Sequence, residues 1–286
     1  MVLTKFSSLA RKLPSPIYKV LAQSYIDLDF PRHLFLETTA NCNLSCAYCP
    51  REKRKEDMDY DLFKKIVNEA SNYGPRSFSL HLFGEPLLYP RIIDAIRYIK
   101  SKNKRHVVLL TTNGTLLNKF AKELHEVDRV IWSYRKNNFD SNSLQLLRKK
   151  GLVRLLIEET PKEEFKKWSK FPRVEVKHLH NYGGNIDVKK WGIDNLPIAR
   201  YPCYHLWLAP AVRWNGEIVE CCNISKSGTE VLGTYGTTTI GDVWRGEKLM
   251  KLREAHKKGV YPGACNKCTS WQAYPDIFFS SQCQSV

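Results

Sequence analysis

The chain has 286 residues, with 45 Lys and Arg against 29 Asp and Glu, a formal charge of +16. A hydrophobic share of 43% with 15 Gly and 14 Pro suits a chain that buries a real core, and excludes a disulfide-stapled peptide, a disordered chain and a collagen-like one. No apolar run approaches the ~20 residues of a membrane-crossing helix, so no membrane span is expected.

The first 26 residues carry no acid, and Lys5, Arg11, Lys12 and Lys19 make them basic. They lack the apolar stretch of a secretory signal, which points to a cytoplasmic protein with a basic helical extension over residues 1–30. A short strand is expected over 33–37, running straight into Cys42-Asn-Leu-Ser-Cys46-Ala-Tyr-Cys49. Nine cysteines form an odd set in a chain with no secretory signal, and disulfides fit that poorly. Three thiols on one loop, with no His at finger spacing, suggest a metal centre that keeps one position open, as iron–sulfur chemistry can. Ordinary buried cysteines would sit in a continuous apolar run, but Pro50 and the charged string Arg51 to Asp57 follow here.

Apolar spacing at Leu62, Ile66 and Ala70 then predicts a helix, with Asp59 or Asp61 near its start as a cap. Strands are predicted over 77–82, 106–111, 129–133, 153–157 and 173–179, and helices over 91–102, 116–124, 141–150 and 162–169. This alternation argues for parallel βα units with right-handed crossovers, curled into a partial (βα)6 TIM-like barrel of the α/β class. In such a fold the site lies at the C-terminal strand ends, where the cysteine loop falls.

On Cys42, Cys46 and Cys49, with Tyr48 before the last of them, the chain resembles the radical S-adenosylmethionine superfamily over about residues 31–179. The resemblance implies that the three cysteines hold a [4Fe–4S] cluster whose fourth iron binds S-adenosylmethionine. Phe83-Gly84-Glu85-Pro86 is similar to the family's Gly-Gly-Glu-Pro stretch, which receives the methionyl ammonium, with Phe83 in place of the first glycine. Thr112-Asn113-Gly114 is similar to the family's Thr-Asn-Gly turn, Ser133 is placed at the ribose and Leu179 at the adenine. Tyr134-Arg135-Lys136-Asn137 departs from the small acidic turn of relatives.

From Tyr182 the rhythm stops. Residues 31–182 are read as the core barrel, 183–202 as a bridge and 203–286 as a small C-terminal hairpin and helix domain. A hairpin is predicted from strands 206–214 and 217–219 with a type I′ turn at Asn215-Gly216, then a helix over 242–257. Cys203, Cys221, Cys265 and Cys268 form a four-thiol set that suits either a [4Fe–4S] cluster or zinc by spacing alone. The stretch resembles the SPASM domain in its shortened, twitch-like form, which implies one auxiliary [4Fe–4S] cluster. Cys222 and Cys283 are read as free thiols.

The resemblance implies reductive cleavage of S-adenosylmethionine to a 5′-deoxyadenosyl radical that abstracts hydrogen from a substrate. The expected reaction is oxidation of a small molecule or sugar, with the auxiliary cluster as electron acceptor. Candidates for the base are Glu158, Glu159, His178, His180 and Tyr134, all expected at the barrel mouth. The +16 charge suits an anionic substrate and an acidic reductant such as flavodoxin or ferredoxin. Two alternatives stand beside this one. One is maturation of a ribosomally made peptide or protein by crosslinking or epimerisation. The other is a zinc-ribbon nucleic-acid binder, disfavoured by the incomplete ligand set at 42–49.

Overall fold

The computed structural model describes residues 29–192, 202–203, 205–223 and 230–270. The basic extension lies almost wholly outside the described residues, as do Cys283 and much of the 183–202 bridge. Six parallel strands form the barrel wall: β1 (His33–Leu36), β2 (Ser77–Ser79), β3 (Val107–Thr112), β4 (Arg129–Ser133), β5 (Gly151–Leu156) and β6 (Val174–Lys177). On the other side of β1 lie β7 (Ala211–Val212), parallel to it, and the antiparallel β8 (Glu217–Val219) and β9 (Val231–Thr234). The single nine-stranded order is β6-β5-β4-β3-β2-β1-β7-β8-β9, an open sheet in which the cysteine-bearing hairpin continues the barrel wall. No described helix is long and apolar enough to cross a membrane.

Period-two alternation gives each strand an outer and an inner face. Outward residues such as Leu34, Leu36, Phe78, Leu80, Val108, Leu110, Trp132, Val153 and Leu155 share one core with the covering helices. α1 (Tyr60–Ser71) buries Phe63, Ile66, Val67 and Ala70, and α2 (Ile92–Lys102) buries Ile92, Ala95, Ile96 and Ile99, the stripe that helical spacing requires. Asp59 is the cap of α1, accepting from Leu62 N at 2.8 Å. The inner face is more polar: His33 Nε2 meets Ser79 Oγ at 3.0 Å, and Thr111, Arg154 and Lys177 line a central cavity.

Four predicted elements differ from what forms. The 116–124 helix is only one turn, α3 (Leu117–Phe120), followed by a 3₁₀ turn at Glu123–Glu126. α4 (Ser141–Lys150) and α5 (Lys162–Trp168) form where expected. The apolar run 206–214 is not one strand: α6 (His205–Leu208) precedes the two-residue β7, and the buried Arg253 donates Nε to Leu206 O at 2.8 Å. The hairpin turn is not type I′, since Gly216 has φ +86 while Asn215 keeps a negative φ. Arg213 N donates to Glu217 O and Gly216 N to Arg213 O, a three-residue loop closed by a left-handed glycine. The 242–257 helix is two, α7 (Ile240–Arg245) and α8 (Glu247–Lys257), broken at the extended Gly246. Asp242 is the third residue of α7, paired with Thr239 in a capping box.

Glu37, at the end of β1, joins the barrel to the hairpin: it is buried and accepts from Phe83 N and Trp214 N, each at 3.4 Å. Burial pushes its carboxyl up to about 7 from an ordinary 4.5, against those bonds and Arg213. The folded protein therefore holds a proton that the unfolded chain releases. Stability from this group is full below about pH 4.5 and is lost as pH rises through about 7, on the order of 3 kcal/mol. Urea midpoints measured from pH 5 to 8 are expected to fall, and to fall less in Glu37→Gln; equal slopes would show that another group governs the loss.

Candidate functional site

Beyond β1 the chain turns through Thr38 to Asn41 and enters the cysteine loop. Cys49 N donates to Cys46 O at 3.0 Å, and Arg51 holds the loop from below through NH2 bonds to Cys42 O at 3.2 Å and Leu44 O at 2.8 Å. Arg135 NH2 lies 3.6 Å from Cys46 Sγ, and its guanidinium stands 5.3 Å over the Tyr48 ring. Burial pushes the Cys49 thiol up, and the Cys46 and Cys42 sulfurs add to this. Three thiols sharing one small space, beside two guanidinium groups, fit an iron–sulfur cluster, because ligation removes the thiol protons.

Next to this loop runs 83–86, after β2. Gly84 passes so close that a Cβ there would lie 2.0 Å from Thr39 O. Glu85 is 2% exposed and donates its N–H to Asn41 O at 2.7 Å. Its Oε1 accepts from Thr112 Oγ1 at 2.7 Å and Leu87 N at 3.2 Å, and its Oε2 from Asn113 N at 2.7 Å. The carboxylate thus ties the 83–86 loop to the turn after β3 rather than standing open to a ligand. Burial pushes this carboxyl up, and those donors offset part of the effect. Asn113 Nδ2 in turn donates to Asn43 Oδ1 at 2.9 Å and lies 3.9 Å from Cys42 Sγ.

One cavity of about 440 Å³ gathers these parts. It is lined by Cys42, Cys46 and Cys49 and by every residue singled out for the cofactor: Tyr48, Phe83, Gly84, Glu85, Asn113, Ser133 and Leu179. Of the candidate bases, His178 and His180 line it. Tyr134 does not: β4 alternates, so Ser133 faces inward while Tyr134 packs outward, 7% exposed, 5.5 Å from Trp132. Glu159 is exposed, outside the cavity lining. Glu158 does not line it either; it accepts from Leu179 N at 2.9 Å and meets His178 Nδ1 at 2.7 Å.

Residues that sequence reasoning passed over also line the cavity: His81, Arg135, Arg154, Lys177, Tyr182 and His205. For Arg154 and Lys177 the signal was a charged side chain within a strand; His81, Arg135, Tyr182 and His205 lie outside the strands, and no local pattern marked them. Tyr182 has φ +48, unusual for a bulky residue, and its ring lies 3.8 Å from His180 and 6.0 Å from Phe83.

On the far side stands the second thiol set. Burial pushes the Cys265 thiol well up, followed by the effects of Cys221, Cys203, Glu220 and Cys268, so all four sulfurs act on one locality. The side-chain hydrogen bond with Cys222, then burial, pushes the Cys221 thiol up as well. Cys222 and Asn223 line the cavity, so the segment after β8 faces the four-thiol set at 221 and the cavity at 222. His205 lies with Cys221 and Cys222 in a group whose ligand atoms are within 4.8 Å of one another. Asn181, at the end of the barrel, clasps the Cys265–Cys268 turn through Thr269 Oγ1 at 2.8 Å, Thr269 N at 2.9 Å and Lys267 O at 2.5 Å.

Comparison with known proteins adds to this geometry. The family model of the radical SAM superfamily matches residues 36–134, and that of an iron-sulfur cluster-binding domain, SPASM, matches residues 203–269. The tungsten-containing aldehyde ferredoxin oxidoreductase cofactor-modifying protein of Pyrococcus furiosus is 33% identical, over 83% of this chain and 87% of its own. A probable GTP 3′,8-cyclase of Methanococcus maripaludis is 40% identical over 35% of each chain. Among solved structures, BtrN in complex with AdoMet and 2-DOIA has a TM-score of 0.63 at 21% identity, over 84% of this chain and 93% of that one. Streptococcus suis SuiB bound to the precursor peptide SuiA has a TM-score of 0.60 at 16% identity, over 93% and 78%.

Proposed function

The chain belongs to the radical S-adenosylmethionine superfamily and carries a SPASM iron–sulfur domain, and from that premise we propose that it oxidises a small organic molecule by two electrons. The observation that carries this reading is the single cavity with Cys42, Cys46 and Cys49 on one wall and Cys222, next to Cys221 of the second thiol set, on another. A substrate between them has a hydrogen-atom acceptor on one side and an electron acceptor on the other. A small molecule is favoured over a peptide because the relative similar along most of its length is named for modifying a cofactor.

Cys42, Cys46 and Cys49 would hold the cluster that binds S-adenosylmethionine, and Cys203, Cys221, Cys265 and Cys268 the auxiliary one. When bound, these groups supply a 5′-deoxyadenosyl radical and a one-electron sink, so the substrate loses a hydrogen atom, then a proton and an electron. We assign the proton to His178, a cavity-lining residue whose side chain is 66% exposed and so can pass the proton on to solvent; its Nδ1 is engaged by Glu158 at 2.7 Å, which leaves Nε2 as the base. Glu158 fixes that ring and the backbone of Leu179 together. Arg135 holds the cluster loop at Cys46, and Tyr48 and Leu179, both buried, keep water out. The +16 surface suits docking of a small acidic reductant such as flavodoxin or ferredoxin.

The test is anaerobic reconstitution with iron and sulfide, then dithionite and S-adenosylmethionine, with 5′-deoxyadenosine and methionine measured. Replacing Cys265 by Ala is expected to remove about half of the bound iron. Uncoupled cleavage of S-adenosylmethionine should persist, within about tenfold of the parent rate. Iron for one cluster only in the parent chain would overturn the assignment of the second set.

A further inference from the structure

One short segment of the chain reaches both thiol sets. After β6 it reads His178-Leu179-His180-Asn181-Tyr182, and all of these but Asn181 line the cavity. Asn181 is 9% exposed and is turned onto the Cys265–Cys268 turn. Its N–H donates to Thr269 Oγ1 at 2.8 Å, its Nδ2 to Lys267 O at 2.5 Å, and its Oδ1 accepts from Thr269 N at 2.9 Å. The side-chain amide therefore spends its donor and its acceptor on the residue before Cys268 and the residue after it, as a neighbouring strand would. Gly184 closes on the same turn, since a Cβ there would lie 3.1 Å from Lys267 Cδ.

Tyr182 faces the other way. Its φ is +48, and among the described residues it is the one non-glycine residue with a positive φ. A bulky side chain is costly there, so the conformation persists only where the surroundings impose it. Here Asn185 Nδ2 donates to Tyr182 O at 2.7 Å, Gly184 N and Ile186 N close onto Asn181 O at 2.9 and 3.1 Å, and Tyr182 N donates to His180 Nδ1 at 3.3 Å. Gly183 and Gly184 continue at φ +70 and +93, which glycine adopts freely. The left-handed backbone turns the Tyr182 ring over the cavity, 3.8 Å from His180 and 6.0 Å from Phe83. Burial, then the Cys49 sulfur, pushes its phenol up against Arg154 and Arg135, and the Cys46 sulfur adds to this. Adjacent residues thus hold opposite walls: Asn181 the turn of the second thiol set, Tyr182 the space beside the first. At a negative φ the ring would leave that space while Asn181 kept its grip.

We propose that Asn181 and Tyr182 form the joint that fixes the separation of the two thiol sets, with Asn181 the positioning residue for electron transfer between them. It sets how far the acceptor at Cys203, Cys221, Cys265 and Cys268 stands from the radical source at Cys42, Cys46 and Cys49. This rests on both sets carrying clusters, as the oxidation reading has it. The segment that carries the joint also carries His178, so base, radical source and acceptor share one frame.

The experiment reads electron paramagnetic resonance from anaerobic, cluster-loaded protein reduced with dithionite. Two reduced clusters relax each other, and the effect falls steeply with their separation. The microwave power that half-saturates the signal of the first cluster should therefore be higher in the parent than in Cys265→Ala. Asn181→Ala and Asn181→Asp should lower it severalfold, toward the Cys265→Ala value, at parental iron content. Tyr182→Val, which resists a positive φ, should do the same, and Tyr182→Gly, which adopts one freely, should keep the parental value. If Asn181→Ala loses iron, the comparison of Tyr182→Val with Tyr182→Gly decides. Parental relaxation in Asn181→Ala and Tyr182→Val would overturn the joint. So would loss of the second cluster's iron in every variant, which would show that the clasp only scaffolds that set. Hydrogen exchange supplies a reading that needs no second cluster: Asn181→Ala should speed exchange over both 180–186 and 265–269, and a rise in one segment alone would also overturn the joint. A parent chain with iron for one cluster and linked exchange counts against the oxidation reading and not against the joint.

Discussion

Replacing Cys42, Cys46 or Cys49 by Ala should abolish release of 5′-deoxyadenosine, a loss of roughly 10³-fold or more, while the chain stays folded. The loop is held by contacts that do not need the thiols: Arg51 binds the carbonyls of Cys42 and Leu44, Cys49 N binds Cys46 O, and Glu85 N binds Asn41 O. A single alanine removes one thiolate from a set of three on one loop, and no other cysteine sits within that loop to replace it. The iron that remains should be that of the second set, about half of the total. Circular dichroism and iron content together separate this from unfolding. Retention of parental cleavage by any of the three variants would sink the assignment.

The two kinds of residue in the cavity differed in how far sequence could reach them. Cys42, Cys46 and Cys49 are legible because their spacing is local: a loop of this length brings the three side chains together whatever the sheet does. Gly84, Glu85 and Asn113 are legible by resemblance, and the structure adds a reason of its own, the carboxylate of Glu85 clasping the Asn113 turn. Arg154 and Lys177 are not local. Each is one charged residue in a strand, and only the pairing of β5 with β6 puts both against Glu175. Tyr134 failed for the complementary reason, since moving one position from Ser133 crosses the sheet. The 206–214 stretch failed because a short apolar run has no periodicity that separates helix from strand; the buried Arg253, bonded to Leu206 O and Trp244 O, lies far along the chain.

Gly84→Ala should be severely damaging, since its Cβ would meet the closest contact of any glycine whose surroundings are described. Its Cβ would stand 2.0 Å from Thr39 O, 2.8 Å from Thr39 C and 2.9 Å from Asn41 O. All three are backbone atoms, so no side chain can rotate away, and the two loops must part by about 1.4 Å to bring 2.0 Å to an ordinary contact of 3.4 Å. Parting them stretches the bond from Glu85 N to Asn41 O, now 2.7 Å, and carries the Glu85 carboxylate away from Thr112 and Asn113. The expected cost is about 3 kcal/mol, a fall in Tm of about 5 °C or more. Cleavage of S-adenosylmethionine should fall further than stability explains, because the displaced loop lines the same cavity as Cys42 and Cys46. Phe83, one residue earlier, departs from the family's glycine and is accommodated, its ring 6.0 Å from that of Tyr182. The demand for glycine is therefore specific to position 84, where backbone meets backbone. A Gly84→Ala protein with parental Tm and parental cleavage would show that the cysteine loop and the 83–86 loop are not packed this closely, and the cavity derived from their contact would have to be redrawn.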